Sequence, residues 1–117
     1  MKLDKNEFWV LGSATLVLRD LLNTADDIDI AVSKKGYQFL KQKYKLDYLG
    51  QNKCFKWYKI NEIIECYVNI KTNNKIEESE PYNLLDLKYY YDNFLKDSTR
   101  KKDYEKKKII EQALNIT

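Results

Sequence analysis

The spacing of apolar positions changes period several times along this chain, and each change marks an element. Phe8 to Leu11 is a short β-prone run that stops at Gly12-Ser13; Val17, Leu18, Leu21 and Leu22 then recur at helical spacing. This predicts a strand, a tight turn with Ser13 as N-cap, and a largely buried helix with a broad apolar face. From Asp27 the period drops to two, so that Ile28, Ile30 and Val32 share one face of a strand while Asp27 and Asp29 share the other. Ser33 reads as the N-cap of a basic amphipathic helix with Tyr37, Leu40 and Tyr44 along one face, ending near Lys45. Leu46 to Gly50 reads as a short strand. Lys53 to Ile60 and Glu62 to Ile70 form a hairpin turning at Asn61, and in the second run Ile64, Cys66, Val68 and Ile70 alternate with Ile63, Glu65, Tyr67 and Asn69.

Lys71 to Glu80 is polar and reads as a loop. Pro81 suits the first turn of a helix that carries Leu84, Leu87, Tyr91 and Phe94 or Leu95. A last helix is expected from about Thr99 to Ala113, with Tyr104, Ile109, Ile110, Ala113 and Leu114 as its apolar set. Met1 to Glu7 reads as a polar, ragged lead-in. No internal repeat or low-complexity tract divides the chain, so residues 1–117 are read as a single α/β domain.

Composition narrows the chemistry. Basic and acidic residues nearly cancel at a formal +3, and ten tyrosines within a 44% hydrophobic composition suit a folded chain. No apolar run approaches a membrane span, and the start lacks the basic-then-apolar layout of a signal peptide, so a cytoplasmic location is expected. There is no histidine. This excludes a Cys/His zinc site and any imidazole triad; Cys54 and Cys66, both in expected strands, read as reduced core thiols. Proton transfer falls to carboxylates, lysine or tyrosine.

Two stretches carry candidate chemistry. A Gly12-Ser13 turn entering a helix offers backbone amides, a hydroxyl and the positive helix end to phosphate. Asp27 and Asp29, one residue apart on a strand, point the same way and suit Mg²⁺, a hard ion that prefers oxygen ligands.

The pattern resembles the nucleotidyltransferase superfamily, and within it the small bacterial AbiEii-like, minimal branch. Gly12, Ser13, Leu16, Leu18, Leu21, Asp27, Ile28 and Asp29 fall where that pattern has its glycine turn, helix and Asp-Ile-Asp strand. The branch usually has an arginine and a threonine in the turn before the acidic strand; Asn23 and Ala25 stand there in this chain. The resemblance implies a nucleotidyltransferase fold, a mixed sheet of about four or five strands with helices packed on it. It implies an NTP substrate, Mg²⁺ or Mn²⁺ as cofactor, phosphates held at Gly12 and Ser13, and metal held by Asp27 and Asp29. Glu65 is the residue to assign as third carboxylate, as metal ligand or base, with Glu62 as fallback; the other reading of Glu65 is a surface glutamate. Lys88, two turns into the helix expected at Pro81, matches a family lysine that reaches phosphate, or is simply solvated. Lys102 and Asp103 match a Lys-Asp pair that helps close the nucleotide cleft, while Lys106 stands where a second aspartate is common. The family's usual first helix is missing or nearly so here, which would leave one side of the sheet open for a partner subunit.

The activity so implied is metal-dependent transfer of a nucleoside monophosphate from an NTP to a hydroxyl of a protein, RNA or small-molecule acceptor. A catalytically silent binding partner, such as one half of a toxin-antitoxin pair, is the alternative from another class. An RNA-binding module is the third: residues 96–108 hold seven basic and three acidic side chains.

Overall fold

The computed structural model describes residues 4–53, 55–69 and 75–115; Cys54 and Ile70 lie outside them. The elements are β1 (Phe8–Leu11), α1 (Gly12–Leu18), β2 (Ile28–Val32), α2 (Lys34–Lys43), β3 (Asp47–Gln51), β4 (Phe55–Lys59), β5 (Ile64–Asn69), β6 (Ile76–Glu77), β7 (Leu84–Leu85), α3 (Leu87–Tyr90) and α4 (Lys101–Ala113). A π-turn, Tyr91–Leu95, continues α3. The strands form one mixed sheet in the order β3-β4-β5-β2-β1-β7-β6. β2 sits at its centre, antiparallel to β1 and parallel to β5.

Among the described residues seven strands replace the expected four or five, because the segment around Pro81 is extended. Leu84 pairs in parallel with Val10, whose amide donates to the Asn83 carbonyl at 3.0 Å. That pairing supplies the backbone partners the edge of β1 would otherwise lack. The helix expected at Pro81 therefore starts only at Leu87, where Asp86 caps it by accepting from the Tyr89 amide at 3.1 Å.

α1 is also shorter than its leucine spacing predicts. Asp20 adopts a left-handed φ of 59°, and the amides of Asp20 and Leu21 fold back onto the carbonyls of Val17 and Leu16 at 3.0 and 2.9 Å. This closing motif ends the helix at Leu18 and sends Leu21 and Leu22 into the loop, still packed against the core. Its buried residues are Ala14, Thr15 and Leu16, while Leu18 is exposed. Ser13 is not the N-cap: Leu11 holds that position, no side chain among the described residues caps α1, and the Thr15 hydroxyl donates to the Gly12 carbonyl at 2.7 Å.

Ser33 does cap α2, accepting from the Gly36 amide at 3.0 Å. The lead-in is more ordered than its polarity suggests. Lys5–Glu7 form a 3₁₀ turn, and Glu7 accepts from the Ser33 amide through its carbonyl and from the Ser33 hydroxyl through its carboxylate. Gly36 permits this contact, since a side chain there would meet the Glu7 carbonyl at 2.7 Å.

Both faces of the central strands are covered, contrary to the expected open side. Phe8, Val10, Ile30, Val32 and Cys66 pack with Leu40 of α2 on one face. Trp9 and Ala31 pack with Leu16, Leu95 and Ile110 on the other, beneath α1, α3 and α4. Cys66 is a free, fully buried thiol whose pKa burial pushes up to about 11, so it stays protonated. Tyr104, expected in the core face of α4, is half exposed; Asp103 and Ile110 are that helix's buried residues. Among the described residues no helix is long and apolar enough to cross a membrane.

Candidate active site

The register of three strands builds the site. Leu11 lies opposite Asp29 across the β1–β2 pair, so the turn after β1 arises beside that carboxylate. Gly12 makes the turn with φ of +61°, a region glycine enters without steric cost, and a side chain on it would stand 3.5 Å from Asp29 Oδ2. On the other side of β2, Glu65 of β5 pairs with Asp29 and Tyr67 with Ala31. Alternation places Asp29, Glu65 and Tyr67 on the face away from α2. Asp27 is exposed in the loop just before β2.

These carboxylates share one electrostatic field. The pKa of Asp29 is pushed up to about 6, chiefly by burial, then by the negative charges of Glu65 and Asp27, with Lys106 opposing. The Tyr67 phenol is pushed up to about 12 by burial and then by Asp29, Glu65 and Asp27, so it stays neutral.

Over this strand face opens a cleft of about 780 Å³. Gly12, Ser13, Asp27 and Asp29 line it, with the loop at 23–26, the rings of Phe55 and Tyr67, and Arg100, Lys102, Asp103 and Lys106 from the start of α4. Phe55 and Trp57 both pack on Tyr67, with ring centroids 5.9 and 5.8 Å away. Asp103 is buried and accepts a 2.7 Å hydrogen bond from the Ser98 hydroxyl; Lys106 Nζ and Arg100 Nε lie 3.8 and 3.9 Å from its oxygens.

Among the described residues no three acidic or thiol side chains form a ready-made metal cage. The paired oxygen donors of Asp27 and Asp29 nonetheless fit Mg²⁺ or Mn²⁺ of the kind held by one or two carboxylates and completed by substrate phosphates and water. Repulsion from Glu65 and Asp27 already registers at Asp29, and a cation would relieve it.

Six of the residues expected from the sequence come together around the cleft: Gly12, Ser13, Asp27, Asp29, Lys102 and Asp103. Glu65 neighbours Asp29 in the sheet but does not line the cleft. Lys88 lies elsewhere. Because α3 begins at Leu87, Lys88 falls in its first turn, two-thirds exposed, and pairs with Asp92 at 2.9 Å. Phe55, Tyr67, Arg100 and Lys106 were not foreseen as cleft residues. The signals were present: Tyr67 alternates with Glu65, and Lys106 follows Asp103 by one turn on the same helix face.

A glycine turn beside a central acidic strand, in a mixed sheet backed by helices, is the nucleotidyltransferase fold. Among solved structures the chain is similar to the aminoglycoside nucleotidyltransferase ANT(2″)-Ia, crystallised in complex with adenylyl-2″-tobramycin. The TM-score is 0.63 at 13% identity, covering 92% of this chain and 79% of that one, a likeness of fold. No family model matches the sequence, and no curated protein matches it.

Proposed function

We propose that this protein transfers a nucleoside monophosphate from an NTP to an acceptor hydroxyl, as a member of the AbiEii-like branch of minimal nucleotidyltransferases. The observation that carries the reading is the convergence of Gly12, Ser13, Asp27 and Asp29 on one cleft within this fold. The backbone amides and hydroxyl at Gly12-Ser13 would hold the β and γ phosphates. Asp27 and Asp29 would hold the divalent cation together with the nucleotide, and the cation when bound supplies charge neutralisation on the triphosphate. Lys102 and Asp103, on the α4 side of the same cleft, would help close it over the nucleotide.

The acceptor oxygen forms its bond to the α phosphorus, the bond from that phosphorus to the bridging oxygen breaks, and pyrophosphate leaves. The hydroxyl proton passes to water in the cleft, and Glu65, paired with Asp29 in the sheet but outside the cleft lining, acts on Asp29 through its charge. The test follows label from the α phosphate of each of the four NTPs into the protein and RNA fractions of a cell extract. Wild type should label one fraction and release pyrophosphate, and Asp27→Asn/Asp29→Asn should not. Equal labelling by wild type and the double variant, or label that enters a fraction from γ-labelled and not from α-labelled NTP run in parallel, would contradict nucleotidyl transfer.

One observation favours a second reading, a silent partner-binding protein such as a toxin-antitoxin component. Asn23 gives the cleft loop no cation where the branch carries an arginine, and the loop's hydroxyl is at Thr24 rather than at Ala25.

A further inference from the structure

Binding a triphosphate places several negative charges beside Asp27 and Asp29, so the cleft needs cations of its own. The loop at 23–26 supplies none, since its sequence is Asn-Thr-Ala-Asp. Lys88 is spent on Asp92 outside the cleft. The positive charge comes instead from α4, and Lys106 is the member of that set drawn furthest in: its side chain is 20% exposed against 61% for Arg100.

Resting on the nucleotide-site reading above, we propose that Lys106 is a phosphate-binding residue of this cleft, whose ammonium grips the triphosphate directly and makes part of that grip independent of divalent metal. Three features of its setting support this. Its ammonium stands 3.8 Å from Asp103 Oδ1, within ion-pair range but beyond a hydrogen bond, and no hydrogen bond from it to another described residue is present. Its donors are therefore available to a ligand. Asp103 is buried and fixed by the Ser98 hydroxyl, so it acts as a positioning residue that holds the ammonium in the cleft without neutralising it by close contact. Lys106 also lines the same cleft as Asp27 and Asp29, so its ammonium and the acidic pair face one pocket. A lysine here, one helical turn beyond Asp103, supplies as a point charge what the loop lacks.

The test is calorimetric titration of the full chain with inorganic tripolyphosphate in EDTA, a probe that asks for phosphate recognition alone. Wild type should bind; Lys106→Met should bind about tenfold or more weakly, the worth of one charged hydrogen bond; and Lys106→Arg should retain most of the affinity. Lys108→Met removes the same charge from an exposed position of α4 and should leave binding within about twofold of wild type. Thermal melts that superimpose for the two methionine variants would exclude a folding defect. Equal affinity of wild type and Lys106→Met, equal losses in both methionine variants, or no metal-free binding by wild type would each overturn the proposal. The wider reading is separable, because it is decided by the Mg²⁺ enhancement of NTP binding and the loss of that enhancement in Asp27→Asn/Asp29→Asn. If that pattern holds while tripolyphosphate ignores Lys106, only the role of Lys106 falls.

Discussion

The two faces of β2 differ in what they are built to do. On one, Ile30 and Val32 are almost wholly buried against Phe8, Val10, Leu40 and Cys66. On the other, Asp29 sits partly buried between Gly12 and Glu65, its carboxylate crowded by like charge. Five consecutive residues thus hold the centre of the fold and the centre of the site. The apolar face lowers the free energy of the native state, while the acidic face raises it and stores repulsion that a cation can relieve.

The largest effect on stability should come from the apolar face. Ile30→Ala removes a fully packed side chain and should cost about 3 kcal/mol in chemical denaturation, without changing nucleotide affinity in the protein that remains folded. Gly12→Ala comes next. The left-handed φ of Gly12 makes any side chain there costly, so about 1–2 kcal/mol should be lost, and NTP affinity should fall with it because the same turn offers its amides to phosphate.

Asp29→Asn should move stability the other way. An acid whose pKa rises on folding binds its proton more tightly in the native state, so its charged form costs stability above about pH 6. That cost shrinks as pH falls through 6 and is gone below the ordinary value of 3.8. Undiluted, the shift corresponds to about 3 kcal/mol, and solvent screening of a partly exposed group leaves about 1. Thermal melts should therefore show Asp29→Asn more stable than wild type at pH 8 and indistinguishable from it at pH 3.5. A variant less stable than wild type at pH 8 would contradict the cost assigned to burial and like charge at Asp29. The smallest effect is expected at Lys88→Ala, whose exposed pair with Asp92 should be worth no more than about 0.5 kcal/mol and whose loss should leave NTP binding unchanged.

Much of this arrangement was legible in the sequence because it rests on local periodicity. The switch to period two gave the strand, its two faces and the position of Asp29, although β2 begins at Ile28 and leaves Asp27 in the loop, and the alternation of Ile64, Cys66 and Val68 put Glu65 on the matching face. What was not legible depends on long-range pairing. Leu84 and Leu85 have helical spacing with Leu87 and Tyr91, and only the open edge of β1 draws them into a strand. That change moved the start of α3 and carried Lys88 out of the cleft. α1 was overrun for a related reason: Leu21 and Leu22 keep the helical period, but Asp20 turns left-handed and the two leucines reach the core from a loop. Lys106 was visible only as a departure from the family pattern, since its meaning depends on Asp103, which it meets on α4, and on the cleft that it lines together with Asp29.

Whether the acidic pair and the glycine turn form a nucleotide site is decided by calorimetric binding of the four NTPs, with and without Mg²⁺, to wild type and to Asp27→Asn/Asp29→Asn. Wild type should bind, more tightly with Mg²⁺, and the double variant should lose that Mg²⁺ enhancement. No binding of any NTP by wild type at millimolar concentration, or metal-enhanced binding that survives in the double variant, would contradict the nucleotide site.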